Sequence, residues 1–180
     1  MFILAQIIGA IILVCVVVAL QQKSKTKVLM GYMIANVLFI IQFLLLEAYV
    51  GAIIYVVNTI RTIVFYYFKK KDMKPSVWVL IIFMIACIIS GIVAWENIYS
   101  IIPVVAAIMY TYSMWQDNLK VFRIMAVIAL IGWVTYNFVS MAYTGALTEI
   151  IHLTSAIVAI VRYDILKQKS EEITEAVKEN

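Results

Sequence analysis

The chain has 180 residues, 66% of them hydrophobic and only 13% charged, with a formal net charge of +4. A soluble globular chain is typically about 45–50% apolar, so water is excluded as the solvent of this one. Six Gly and two Pro exclude collagen-like and flexible-linker classes, which leaves an integral membrane protein whose basic residues report topology first.

A membrane span takes about 20 mostly apolar residues. Seven such runs follow one another, at 2–20, 28–46, 49–68, 77–95, 100–115, 121–142 and 145–162. The first has no basic segment ahead of it and no small-residue cleavage site behind it, so it reads as a retained helix. The connections are short: QQKSKTK, a bare turn at Glu47, FKKKDMKPS, Glu96-Asn97, QDNLK and a turn at Thr144. From Tyr163 a polar tail follows, read as a solvated continuation of the last helix. The expected fold class is an all-α membrane protein with seven transmembrane helices.

Charge placement gives the orientation. Thirteen of the 14 Lys and Arg fall at one end of a seven-span bundle, after the first and third runs, at the start of the sixth and after the seventh. The opposite loops carry Glu47 and Glu96 and no basic residue. The positive-inside rule puts the N-terminus outside and the C-terminus in the cytoplasm.

The sequence also repeats itself. Residues 7–69 laid on 101–163, an offset of 94, share 11 identities in 63 pairs. The best block is Ala48-Tyr49-x-Gly51-Ala52 on Ala142-Tyr143-x-Gly145-Ala146. Runs one to three then fall on five to seven, and the fourth has no partner. One unpaired helix between two triplets leaves them in the same orientation, a parallel repeat about the membrane normal. The organisation expected is residues 1–68 as the first three-helix repeat, 77–95 as a linker helix, 100–162 as the second repeat and 163–180 as a polar cytoplasmic tail.

This layout resembles the SWEET / PQ-loop (MtN3-like) superfamily. More closely, the chain resembles the YgjV family of bacterial inner membrane proteins. The resemblance rests on Asn58-Thr59-Ile60-Arg61-Thr62, Ile102-Pro103-Val104, Asn137-Phe138, Glu149 and Ile160-Val161-Arg162. It implies a 3+1+3 helical fold and the bacterial inner membrane, and it implies no substrate. The helix prolines of sugar-carrying SWEETs are not matched, since Pro103 is the one proline inside a span and Pro75 lies in a loop. The Pro-Gln pair of PQ-loop proteins is replaced by Leu20-Gln21. A sugar is therefore not indicated.

Ionisable residues within a span are costly, about 2.5–3.5 kcal/mol at a helix centre, and are the first functional candidates. Three occur: Arg61, Glu149 and His152. Asn58 and His152 occupy the same place in the two repeats, so a two-fold axis would set them face to face. The SWEET resemblance implies a substrate-binding asparagine pair near this position. Interhelical hydrogen bonding, at about 0.6 kcal/mol, is an equal reading. Arg61 lies one turn past Asn58 and Glu149 one turn before His152, an axial offset of roughly 9 Å. Arg61 suits an anionic group and Glu149 a proton or a cationic one; the bland readings are an Arg61 that snorkels to the interface and a Glu149 solvated in an outer vestibule. Polar stripes on three helices support a cavity: Tyr55, Asn58, Thr62 and Tyr66; Trp133, Tyr136, Asn137 and Ser140; Gly145, Thr148, Glu149, His152 and Ser155. The substrate set expected is Asn58, Arg61, Asn137, Glu149 and His152, with Trp133 and Tyr136 on the wall. Gly9, Gly51, Pro103 and Gly145 are hinge or packing positions, with packing favoured for each.

Cys15 and Cys87 form no C-x-x-C pair and His152 stands alone, so no disulfide framework, metal site or cofactor is expected. No paired carboxylates, Ser/His/Asp set or phosphate loop is visible, which argues against an enzyme. The leading expectation is a secondary transporter or facilitator of a small polar solute, working by alternating access between the repeats. The alternative is a non-transporting seven-helix receptor or ligand-binding protein. The partners expected are membrane lipid and an unidentified small solute; nucleic acid is not expected, and a homo-oligomer is compatible with the sequence.

Overall fold

Hydrocarbon offers backbone amides no hydrogen bonds, so each apolar run satisfies its own by coiling into a helix. A computed structural model describes residues 1–20, 25–71, 73–116 and 118–161. Among these it contains α1 (Phe2–Leu20), α2 (Lys25–Leu45), α3 (Tyr49–Lys70), α4 (Val77–Val93), α5 (Ile101–Trp115), α6 (Leu119–Val139) and α7 (Tyr143–Ile160). The tail expected at 163–180 lies outside the described residues, as do Lys23 and Arg162 of the basic set.

Hydropathy misplaces some ends. It carries the sixth run to 142 and puts a turn at Thr144, whereas α6 ends at Val139 and Thr144 is the second residue of α7. Met141, Ala142 and Tyr143 are apolar enough to hide a turn that the backbone makes. That turn is set by Met141 at φ 57°, and its counterpart between α2 and α3 by Glu47 at φ 59°. In each the next amide reaches back five residues, Ala48 N to Phe43 O at 3.0 Å and Ala142 N to Asn137 O at 2.8 Å. This is the Schellman closure, normally built on glycine. Gly51 and Gly145 do not form these turns; each is the third residue of the following helix.

Neighbouring helices pack in sequence within each triplet, α1 on α2 on α3 and α5 on α6 on α7. The triplets meet where α1 touches α7 and α3 touches α5, closing a ring of six helices, while α4 leans on α3 and α5 from outside. Exchanging α1–α3 for α5–α7 returns the same ring contacts. α2 and α6 also begin and end 94 residues apart, and α3 and α7 begin 94 apart.

The packing is inside-out relative to a soluble bundle. Ile82, Ile85, Ile89 and Ile92 of α4 and Ile3, Ile7 and Ile11 of α1 are exposed, while Gln42, Asn58, Arg61, Asn137, Thr148 and Glu149 are buried. Burying polar groups under an apolar skin is stable only where the surroundings are lipid. Four segments are long and apolar enough to cross a membrane on their own: Phe2–Ala19, Tyr49–Phe68, Ile98–Trp115 and Lys120–Val139. Met30–Leu45 and Val77–Val93 are apolar but shorter.

Helix ends are capped by local side chains. Asn118 accepts from the amides of Lys120 and Val121 at the start of α6, and Ser76 accepts from Trp78 N at the start of α4. Across the bundle, Glu96 Oε1 accepts from Tyr49 N at the start of α3, 2.9 Å away. Gln6 Oε1 likewise accepts from Thr144 N at the start of α7, at 3.1 Å. Pro103 falls in the first turn of α5, where its missing amide costs no helical bond.

Candidate functional site

The two triplets enclose a cavity of about 300 Å³, within the size range of small-molecule sites. All six ring helices contribute to its wall and α4 contributes nothing. On its side toward the Glu47 and Met141 turns lies an aromatic layer. Tyr55 stacks on Phe39 with ring centroids 4.6 Å apart and meets Trp133 at 4.7 Å, and Phe43 adjoins Tyr136 at 5.5 Å. Asn58 and Arg61 lie one and two turns further along α3, on the side of the basic loops.

Residues spaced by the 94-residue offset meet in this site. Tyr55 and Glu149 are 94 residues apart, and the Tyr55 hydroxyl donates to Glu149 Oε1 at 3.1 Å. Val16 and Tyr110, Asn36 and Leu130, Phe39 and Trp133, and Asn58 and His152 are also spaced by 94, and all line the cavity. The same correspondence holds at the two glycines. A Cβ on Gly51 would lie 2.7 Å from Tyr136 and 3.1 Å from Phe43. One on Gly145 would overlap Asn137 and lie 3.1 Å from Gln42, the residues 94 removed from Phe43 and Tyr136. A Cβ on Gly9 would overlap Thr144 and Gln42. These three glycines are therefore close-packing positions.

Arg61 is 2% exposed and Glu149 5%, so neither faces lipid or snorkels. The Arg61 Nη1 donates to Thr111 Oγ1 at 2.7 Å and to Ala107 O at 3.5 Å, and its guanidinium lies 5.3 Å from the Tyr110 ring centre. Its Nε has no hydrogen-bond partner, and among the described residues no carboxylate pairs with it. Glu149, in contrast, is held at both oxygens. Oε1 takes the Tyr55 hydroxyl and Oε2 lies 3.3 Å from His152 Nδ1. The His152 ring packs edge-on to Tyr32, and His152 Nε2 and Asn58 Oδ1 are buried without partners. The site is thus a cation without a counter-ion at one level and a braced carboxylate at another, with unsatisfied polar groups between them.

Of the residues expected from sequence, Asn58, Arg61, Trp133, Glu149 and His152 come together on the cavity wall. Asn58 and His152 share that wall without bonding to one another. Asn137 and Tyr136 do not line it. Asn137 Nδ2 donates to Trp133 O at 2.8 Å, and the Tyr136 hydroxyl accepts from Gly51 N at 3.0 Å. Ser155, the last member of the α7 stripe, is exposed. Sequence reading missed Tyr110 and Thr111, which hold Arg61, and Tyr32, which braces His152. Tyr55, noted only as one member of a stripe, bonds Glu149 across the bundle; its spacing of 94 from Glu149 was the available signal.

The profile of the YgjV family, described as bacterial inner membrane protein, matches residues 3–167. The chain belongs to the YgjV family. No curated protein and no solved structure matches it. As a YgjV-family member it is a multi-pass protein of the bacterial inner membrane, in contact with lipid, and the cavity just described lies inside that bundle.

Proposed function

We propose that this YgjV-family chain is a secondary transporter or facilitator that moves a small polar solute across the bacterial inner membrane. All seven helices span, with the N-terminus outside and the basic loops and C-terminus in the cytoplasm, as the positive-inside rule requires. Helices α1–α3 and α5–α7 act as parallel repeats around one central site, and α4 is the linker that makes them parallel. The matched helix bounds, turn geometry and ring contacts support this reading. It has no catalytic step and calls for no cofactor.

One observation carries the proposal: a cavity of about 300 Å³ between the triplets places Arg61, Asn58, Glu149 and His152 on one wall. Glu149 has protein partners at both oxygens, but Arg61 has an unused donor and no counter-ion among the described residues, a cost that a bound solute would offset. In this orientation the aromatic layer lies on the outer side of the cavity and Arg61 on the cytoplasmic side. Rocking of the triplets about their α1–α7 and α3–α5 contacts would open each side in turn.

The test is uptake of a panel of labelled small solutes into sealed inside-out and right-side-out vesicles, with and without the protein. Protein-dependent flux of any member supports transport. Saturable binding with no flux in either vesicle type would instead make the chain a seven-helix receptor or binding protein.

A further inference from the structure

We infer that the cavity takes a zwitterionic α-amino acid with an apolar side chain, its carboxylate on Arg61 and its ammonium group toward Asn58 and Glu149. The inference rests on the cavity being the solute site, and it names the class of solute.

Charge is the first argument. With His152 counted neutral, the formal charges of Arg61 and Glu149 cancel. A zwitterion enters without changing that balance. A monoanion would leave one uncompensated negative charge in a desolvated site, and a cationic amine one positive charge, which is costly in low dielectric. An uncharged sugar would leave Arg61 without the anion it lacks.

Hydrogen bonding is the second. Arg61 Nε is an unused donor and Asn58 Oδ1 an unused acceptor. The two residues are three apart on α3, about 4.5 Å along its axis. Both side chains are at least nine-tenths buried, with 2% exposure at Arg61 and 5% at Asn58. A carboxylate with a neighbouring N–H donor matches that pair: an acceptor for the guanidinium and a donor for the amide oxygen. Glu149, already braced by Tyr55 and His152, needs no movement to supply the negative field. The rest of the wall is Phe39, Trp133, Leu130, Met114 and Phe122, which offers an aliphatic or aromatic side chain an apolar seat.

The experiment uses the purified full chain in detergent, with thermal shift and isothermal titration against four probes. Leucine and phenylalanine keep both charged ends. The compound 2-hydroxy-4-methylpentanoate lacks the ammonium, and 3-methylbutylamine lacks the carboxylate. Leucine and phenylalanine are expected to raise the melting temperature by mass action. Each truncated analogue should bind at least about tenfold more weakly, the loss of one charged contact. Glu149→Gln should weaken leucine about tenfold and leave 2-hydroxy-4-methylpentanoate within about threefold. Arg61→Lys should weaken both acids, because the planar fork is lost. Equal binding of leucine and the hydroxy acid, or no melting shift with either amino acid, would overturn the inference using the unaltered protein alone. So would equal weakening of both acids by Glu149→Gln. Leucine binding without vesicle flux would leave this inference standing and remove transport. Flux of a sugar without leucine binding would do the reverse.

Discussion

Tyr55→Phe removes one hydroxyl and leaves a ring of nearly the same shape. The stacking partners, Phe39 at 4.6 Å and Trp133 at 4.7 Å, keep their contacts. What is lost is the bond to Glu149 Oε1, which joins α3 of one triplet to α7 of the other. Hydrogen bonds to charged groups contribute about 1.5–3 kcal/mol in soluble proteins. Interhelical bonds in a membrane average about 0.6 and reach about 1.7 kcal/mol. At 3.1 Å this bond is longer than the 2.5–2.7 Å of a strong O–H···O⁻ contact. The expected loss is therefore about 1–1.5 kcal/mol, near the top of the membrane range and the bottom of the soluble one. Reversible unfolding in mixed micelles would measure it, with Glu149→Leu, which has no oxygen to accept the bond, and the double variant completing a cycle. The cycle should return a coupling of about 1 kcal/mol, because residues in direct contact do not add. Additivity within about 0.3 kcal/mol would show that Tyr55 and Glu149 do not touch, and the meeting of the triplets at matched residues would lose its main contact.

Gly51→Ala and Gly145→Ala should each destabilise by about 1–3 kcal/mol, the cost of forcing a methyl into a packed crossing, read as a fall in melting temperature; an unchanged value for both would refute the close approach. Met141→Gly should stabilise, since a left-handed non-glycine residue costs about 1 kcal/mol or more and the Schellman turn is retained; a lower melting temperature would refute the strain at that turn. For orientation, a single cysteine at Met73 should resist an impermeant maleimide added to intact cells, and one at Glu47 should react. The opposite pattern would invert the topology.

The helices were legible because lipid enforces a simple rule, that about 20 apolar residues make one span. Their ends were legible only where polarity changes with conformation. The lysine run from Lys69 announces the loop that follows α3 at Lys70, whereas Met141 turns the chain inside an apolar run and was invisible to hydropathy. Arg61, Glu149 and His152 stood out because each violates the composition around it. Asn137 and Tyr136 have the same outward signature as Asn58 and Trp133, a polar or aromatic residue on an internal stripe. What separates them is what stands in front of them: Tyr136 and Asn137 are packed against Gly51 and Gly145, whereas Asn58 and Trp133 face the open cavity. Helical periodicity fixes which way a side chain faces, but not whether the space in front of it is filled. Tyr110 and Thr111 were missed for a related reason, since a tyrosine and a threonine in an apolar helix break no rule until an arginine from another helix needs them.

The most direct measurement is counterflow. Liposomes containing the purified chain and preloaded with unlabelled leucine are diluted into labelled leucine, with no ion gradient imposed. Alternating access around the cavity predicts transient accumulation of label above the level in protein-free liposomes, and loss of that accumulation in Arg61→Lys. Label entry equal to protein-free liposomes for leucine, and for every member of the wider solute panel, would contradict a transport role for this bundle.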